Sequence, residues 1–407
     1  MRKTVVFLTL LSIILSGCTY PSINDTKASI KSALLPVYTA KKRVMPEYDP
    51  VESMLKTMTL DEKVGQLVIA GFYGTKIDAV IKEIVTDAKV GGIIFFQRNI
   101  ETSGQVVTLL NDFKALSSRI PLFLSVDEEG GSVSRLPDDL VNLPDARSFE
   151  RRKTINITYD LGLAIGYVLD QYGFNLNYAP VIDVVINTAT SAIGTRSFSA
   201  DPFVVSEMGI LMARGMEKAH VIAVVKHFPG IGNTTIDSHV GLPVLRPTLE
   251  QLKQLELAPF IYAIERGVSG IMVGHVAIAA YDLNLPASLS HPIITGLLRE
   301  SMGFKGVIFT DDLGMGALSI KYTQAQAAIV SILAGADVVL ISHGLRESFN
   351  VIAALKQAVL EGRISKERVN ESVRRILKLK FSFGLDNTLH PNANIVAMSA
   401  KFNDLLK

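Results

Sequence analysis

The residues of this chain best suited to chemistry recur at the ends of short apolar runs. Val126 leads into Asp127-Glu128-Glu129-Gly130-Gly131 and then Arg135, and a later run leads to Asp183. Another ends in Lys226-His227, followed by Asp237-Ser238-His239. Beyond them lie His275, Asp311-Asp312 and Ser342-His343. Carboxylates accept and guanidinium groups donate in fixed, often bidentate geometry, so this mixture suits a polyhydroxylated or acidic substrate. A metal site is not expected: His227 and His239 are twelve positions apart with Asp237 between, and no tight ligand set occurs. No Gly-x-Ser-x-Gly elbow is present, and Pro229-Gly230-Ile231-Gly232 lacks the lysine and serine that complete a phosphate loop. Any one of these polar residues alone reads as an ordinary cap or loop residue. Their shared position at the ends of apolar runs makes them a site.

The elements that must position them are short strands alternating with amphipathic segments. The pattern predicts strands at Gln66–Ala70, Gly92–Phe96, Leu122–Val126, Asn175–Ala179, Ile222–Lys226, Gly270–Val273, Val307–Thr310 and Val338–Ile341. None alternates cleanly, as expected for strands buried on both faces. Helix starts are marked by Ser103, by Asp201-Pro202, by Thr323 and by Ser365. Eight strands with intervening helices over about 330 residues predict an α/β fold, a single (β/α)8 TIM-type barrel, whose catalytic groups sit at the C-terminal strand ends. A doubly wound open sheet is the structural rival. It would usually carry a glycine-rich phosphate turn, and Gly71-Phe72-Tyr73-Gly74 is not one.

Composition narrows the class further. Of 407 residues, 48% are hydrophobic, enough to bury a core, and the single cysteine excludes an internal disulfide framework. A net charge of +2 gives no reason to expect a nucleic-acid partner. The chain opens with Met1-Arg2-Lys3, an apolar run from Val5 to Leu15, and Leu15-Ser16-Gly17-Cys18. A short basic region followed by such a run reads as a secretory signal, and the run is too short to span a membrane. The Leu-Ser-Gly-Cys ending resembles the lipobox of bacterial lipoproteins. That resemblance implies lipidation at Cys18, removal of residues 1–17, and export to the cell envelope as a membrane-anchored protein. Thr19 implies an outer membrane where one exists. Residues 18–50, with Pro21, Pro36, Pro46 and Pro50, read as a tether, residues 51–383 as the catalytic domain and 384–407 as a tail. Loss of Arg2 and Lys3 would leave 39 basic against 39 acidic side chains.

Five ordered motifs carry a resemblance to a known family. They are Val126-Asp127-Glu128-Glu129-Gly130-Gly131 with Arg135, Gly194-Thr195-Arg196-Ser197-Phe198, Lys226-His227-Phe228-Pro229-Gly230, Asp237-Ser238-His239 and Thr310-Asp311-Asp312-Leu313-Gly314-Met315. Over residues 51–383 the chain resembles glycoside hydrolase family 3, and within it the bacterial β-N-acetylglucosaminidases of peptidoglycan recycling. The resemblance implies a retaining mechanism without cofactor, in which Asp311 is the nucleophile and His239 the acid and base, oriented by Asp237. It assigns sugar contacts to Asp127, Arg135, Arg196, Lys226 and His227, with His275 and Met315 lining the site. Glu128 and Glu129 read as partners of nearby backbone, and Asp183 as either a site residue or a loop support. Gly230, Gly232 and Gly241 are expected to hinge the loop that bears His239.

The chain departs from the family pattern at Ile231, where many members carry a second histidine, and in its signs of export. The 24 residues after Phe383 are too few for the second α/β domain from which related β-glucosidases take their acid and base. The expected activity is therefore exo-β-N-acetylglucosaminidase, on cell-wall fragments or related glycosides. A family 3 glycosidase of other sugar specificity, a phosphorylase, and a sugar-binding envelope lipoprotein without turnover remain the alternatives.

Overall fold

The structure, a computed structural model, describes residues 49–406 apart from 118, 151–156, 235–236, 239–240 and 392. The chain divides into two units, Met1–Asp49 and Pro50–Lys407. Cys18 and the expected signal and tether lie outside the described residues, except for Asp49 and Pro50.

Eight parallel strands close on themselves in the second unit. They are β1 (Val68–Gly71), β2 (Gly92–Phe95), β3 (Phe123–Val126), β4 (Leu176–Asn177), β5 (Ile222–Phe228), β6 (Gly270–Val273), β7 (Val307–Asp312) and β8 (Val338–Ile341). Each pairs with its neighbours in sequence, and β8 returns to β1 with Val68 opposite Val339. The expected (β/α)8 barrel is therefore the fold. Its walls are buried on both faces, which is why the strands read as unbroken apolar runs.

The differences from the expected boundaries have local causes. Strand β1 starts at Val68 because Gln66 caps the helix Leu60–Gly65 and accepts a hydrogen bond from Lys380 Nζ at 2.7 Å. Strand β4 is short because the Asn175 side chain takes over the pairing, accepting from Leu124 N and donating to Leu122 O. Thr102, not Ser103, caps the helix Ser103–Leu116, which frees the buried Ser103 hydroxyl to bond Asp139 and Tyr172. Caps at Asp201, Thr323 and Ser365 form as the sequence suggests. Residues 395–406 fold as the helix Ile395–Leu406, packed on the helix Ile157–Tyr172 with Met398 and Phe402 fully buried.

Strand pleating sets what faces the barrel axis. Phe123, Tyr178 and Phe309 meet edge to face there, with centroids 6.2 and 6.0 Å apart on either side of Phe309. Asp311, two residues beyond Phe309 on the same strand face, reaches the C-terminal mouth, where Ile94, Lys226, Met272 and Leu340 of other strands also line the cavity. The aromatic layer is thus the floor on which the polar layer stands. Phe309→Ala should cost about 3–5 kcal/mol of stability, read as a lower urea midpoint in denaturation followed by circular dichroism. A loss below 1 kcal/mol would mean that this layer does not carry the barrel core.

Candidate active site

A cavity of about 350 Å³ opens at the C-terminal mouth. Of the residues singled out from sequence, Asp127, Arg135, Arg196, Lys226, His227, Asp237, Asp311 and Met315 all line it. His239 lies outside the described residues.

The centre of the polar layer is Lys226, only 3% exposed. Its ammonium bonds Asp127 Oδ1 and lies 2.7 Å from Glu129 Oε1. Arg196, on the turn Gly194–Arg196, grips Glu129 with Nε and Nη2, both at 2.8 Å. Burial alone would raise the Glu129 pKa, but the charges of Lys226 and Arg196 outweigh it and hold the carboxyl far below the usual range. Burial likewise opposes the charge on Lys226, and Asp127 and Glu129 reverse its effect and raise the pKa. Arg196 is therefore committed first to Glu129, and Glu129 is a member of the site rather than a support of nearby backbone.

Glu128 does serve the backbone. Its buried carboxyl accepts from Gly130 N, Ser134 Oγ and Arg135 N, and burial pushes its pKa up to about 7. Asn177 completes this turn by donating to Glu128 O and accepting from Glu128 N. The Arg135 side chain donates to Ser134 O through Nη1 and lines the cavity.

His227 is oriented from behind. Fully buried Asp183 accepts from its Nδ1 at 2.8 Å, and also from the backbone N–H of His227 and Ile231. A proton on Nδ1 directed at Asp183 leaves Nε2 for the cavity. The register of β5 against β6 shifts between Val225 and Phe228, so Lys226 and His227, though consecutive, both reach the cavity. Ile231 occupies the place of the usual second histidine and lines the wall with its apolar side chain.

The two aspartates of β7 part company as strand alternation requires. Asp312 is held by Ser342 N and Gly314 N on Oδ1 and by His343 Nδ1 on Oδ2, each at 3.0 Å. Asp311 has the inward parity of Phe309 and accepts only from Asp312 N among the described residues. Burial would raise the Asp311 pKa, but His275 and His227 outweigh it, helped by the Asp312 N–H and Lys226, and lower it. The carboxylate is thus ionised at neutral pH. His275, expected to line the site, is not among the residues that line the cavity. It is 1% exposed, with one ring nitrogen on Ser288 Oγ and the other on Asp312 O.

The loop after β5 has a tightly packed base, which corrects two of the three expected hinges, Gly230 and Gly232. A Cβ at Gly232 would stand 2.1 Å from Val184 O, and one at Gly230, at φ +114°, 2.7 Å from Glu256 Cβ. These glycines permit close packing rather than motion. Further along, Ser238 O accepts from Ala317 N, which ties the loop to the segment after β7, and Asp237 is exposed at the cavity. Among the described residues no group of His, Cys, Asp and Glu is arranged to hold a metal ion.

Three residues that the sequence placed at strand ends without a settled role or partner gain one in the fold. Glu129 and Asp183 act on partners 67 and 44 positions away, and His343 joins Asp312 across the β7–β8 boundary. Their signal was the strand-end position alone.

A closed (β/α)8 barrel with its ionised side chains gathered at the C-terminal mouth defines a barrel enzyme. Residues 59–379 match the N-terminal domain of glycosyl hydrolase family 3, and the chain belongs to that family. It is 32% identical over 337 residues to β-hexosaminidase A of Pseudoalteromonas piscicida, covering 75% of this chain and 56% of that relative's length. It is 34% identical to the β-hexosaminidase LpqI of Mycobacterium tuberculosis, covering 78% of this chain and 82% of that one. A family 3 β-N-acetylglucosaminidase structure from Paenibacillus sp. superposes with a TM-score of 0.81 at 38% identity, over 86% of this chain and 68% of the other.

Glu129→Gln should cost about 3–5 kcal/mol at pH 7, because it leaves two cations without their shared carboxylate. The folded pKa of Glu129 is depressed, so its contribution is present above the ordinary value of 4.5 and is lost as pH falls below it. Urea denaturation of both proteins should therefore show the gap narrowing from pH 7 toward acid. A constant gap would remove the ion pairs as its cause.

Proposed function

We propose that this chain is a retaining exo-β-N-acetylglucosaminidase that removes terminal β-linked GlcNAc from cell-wall fragments or related glycosides. The observation that carries the reading is Asp311, an ionised carboxylate facing a cavity whose walls hold the Asp127–Lys226 and Asp183–His227 pairs. Family membership and relatives named β-hexosaminidase support it.

In the first step Asp311 attacks the anomeric carbon, the glycosidic C–O bond breaks, and His239 gives its proton to the departing oxygen. In the second, water gives a proton to His239 and attacks the same carbon, and the bond to Asp311 breaks. Two inversions retain the configuration. Asp237 orients His239 and raises its basicity. Asp127, Lys226 and His227 hold sugar hydroxyls, Arg135 and Arg196 fix the sugar and the nucleophile region, and Met315 lines the wall. Lipidated Cys18, freed by loss of residues 1–17, tethers the enzyme to a membrane of the bacterial cell envelope through residues 18–50. The sequence Leu15-Ser16-Gly17-Cys18 supports that placement.

Hydrolysis of a chromogenic β-GlcNAc glycoside should fall by about 100-fold or more in Asp311→Ala. An unchanged rate would sink the assignment. In His239→Ala, glycosides with activated aryl leaving groups should lose less than natural glycans, because they need little protonation. Equal losses would mean that His239 is not the acid. Metabolic labelling with a fatty acid should mark the wild type and not Cys18→Ala, and identical labelling would exclude the anchor.

A further inference from the structure

The end of the barrel opposite the cavity carries a chemically different surface. A groove of about 620 Å³ lies between the segments that lead into β6 and β7 and the helix Lys366–Ser382. Its charged lining is Lys305, Arg374, Arg375 and Lys378 against Glu371 alone. Behind it Asp337, buried just before β8, gathers Arg299, Arg368 and Arg375, three guanidinium groups on one carboxylate. Glu52 pairs with Arg374 and also feels Lys378 and Lys56. In the lining itself four cations therefore face one carboxylate, in a chain with 41 basic and 39 acidic residues in all.

Lys305 and Lys378 are exposed, and neither makes an ion pair among the described residues. Phe381, 37% exposed, stands three residues beyond Lys378 on the same helix and sets an aromatic ring beside the charges. Cations flanking an exposed aromatic side chain match the headgroup layer of an anionic bilayer.

We propose that this N-terminal face docks on an anionic lipid surface, with the cavity mouth directed away from the membrane. The helix Pro50–Thr57, through which the chain enters the barrel, packs on Lys366–Ser382 at the groove and contributes Glu52. The proposal builds on the Cys18 anchor for proximity. A tether as long as residues 18–50 lets either end of the barrel meet the bilayer, so charge selects the orientation.

Residues 50–407 hold the closed barrel and its core, so this portion without Cys18 is the test protein. It should sediment with vesicles of phosphatidylcholine mixed with phosphatidylglycerol and not with phosphatidylcholine alone, and added salt should release it. Lys305→Glu with Lys378→Glu should weaken that binding by about 30-fold or more, from about 1 kcal/mol for each cation at an anionic surface. Hydrolysis of the chromogenic glycoside should be unchanged in the same variant, showing that it is folded. Equal sedimentation with both vesicle types, or binding unaffected by the double substitution, would overturn the proposal. So would binding to single-stranded DNA as tight as to the anionic vesicles. Because the test protein lacks Cys18, failure of the anchor in the labelling experiment remains separate from failure of this surface.

Discussion

The constraint on which the site depends is one buried ammonium. Lys226 is almost out of reach of water, and an unpaired charge there would cost several kcal/mol. Asp127 and Glu129 meet that demand, and Glu129 in turn needs Arg196. Satisfying the lysine thus binds the ends of β3 and β5 and the turn at Gly194–Arg196 into one rigid wall. Glu128 and Asn177 hold the β3 turn so that its two neighbouring carboxylates, Asp127 and Glu129, face the lysine.

The barrel separates tasks between its ends. At the C-terminal mouth, charges are partly exposed and arranged around a cavity. At the N-terminal end, Asp337 and its arginines, and Lys380 with acceptors at Gln66, Gly91 and Pro121, tie the last helices to the starts of the strands. Chemistry at the mouth can therefore vary while the closure of the barrel is held from below.

Much of the fold was legible because buried parallel strands must be apolar and short, and eight such runs admit few arrangements. The exceptions had side-chain causes, as at Asn175, whose amide replaces backbone pairing in β4. Candidate site residues were legible where a strand end carried them inward, as with Lys226 and Asp311. His275 occupies the same kind of strand end, yet its ring turns to Ser288 and the Asp312 carbonyl. A strand end specifies the neighbourhood of a side chain and not its partner. The glycines of the β5 loop show the same limit: glycine allows both motion and close approach, and only the neighbouring Val184 and Glu256 decide between them.

By itself, the sequence determined that this chain closes an eight-stranded barrel and brought most of the polar residues of its mouth to notice. Periodicity and strand-end position are local properties, written within a few residues. Tertiary structure alone decided that Glu129 holds Arg196 and Lys226, that Asp183 orients His227, and that Asp312 is taken up by Ser342, Gly314 and His343 while the Asp311 carboxylate stays ionised at the cavity. Those outcomes are electrostatic. They depend on distances between groups far apart in the chain and on burial, which exist only once the barrel has closed.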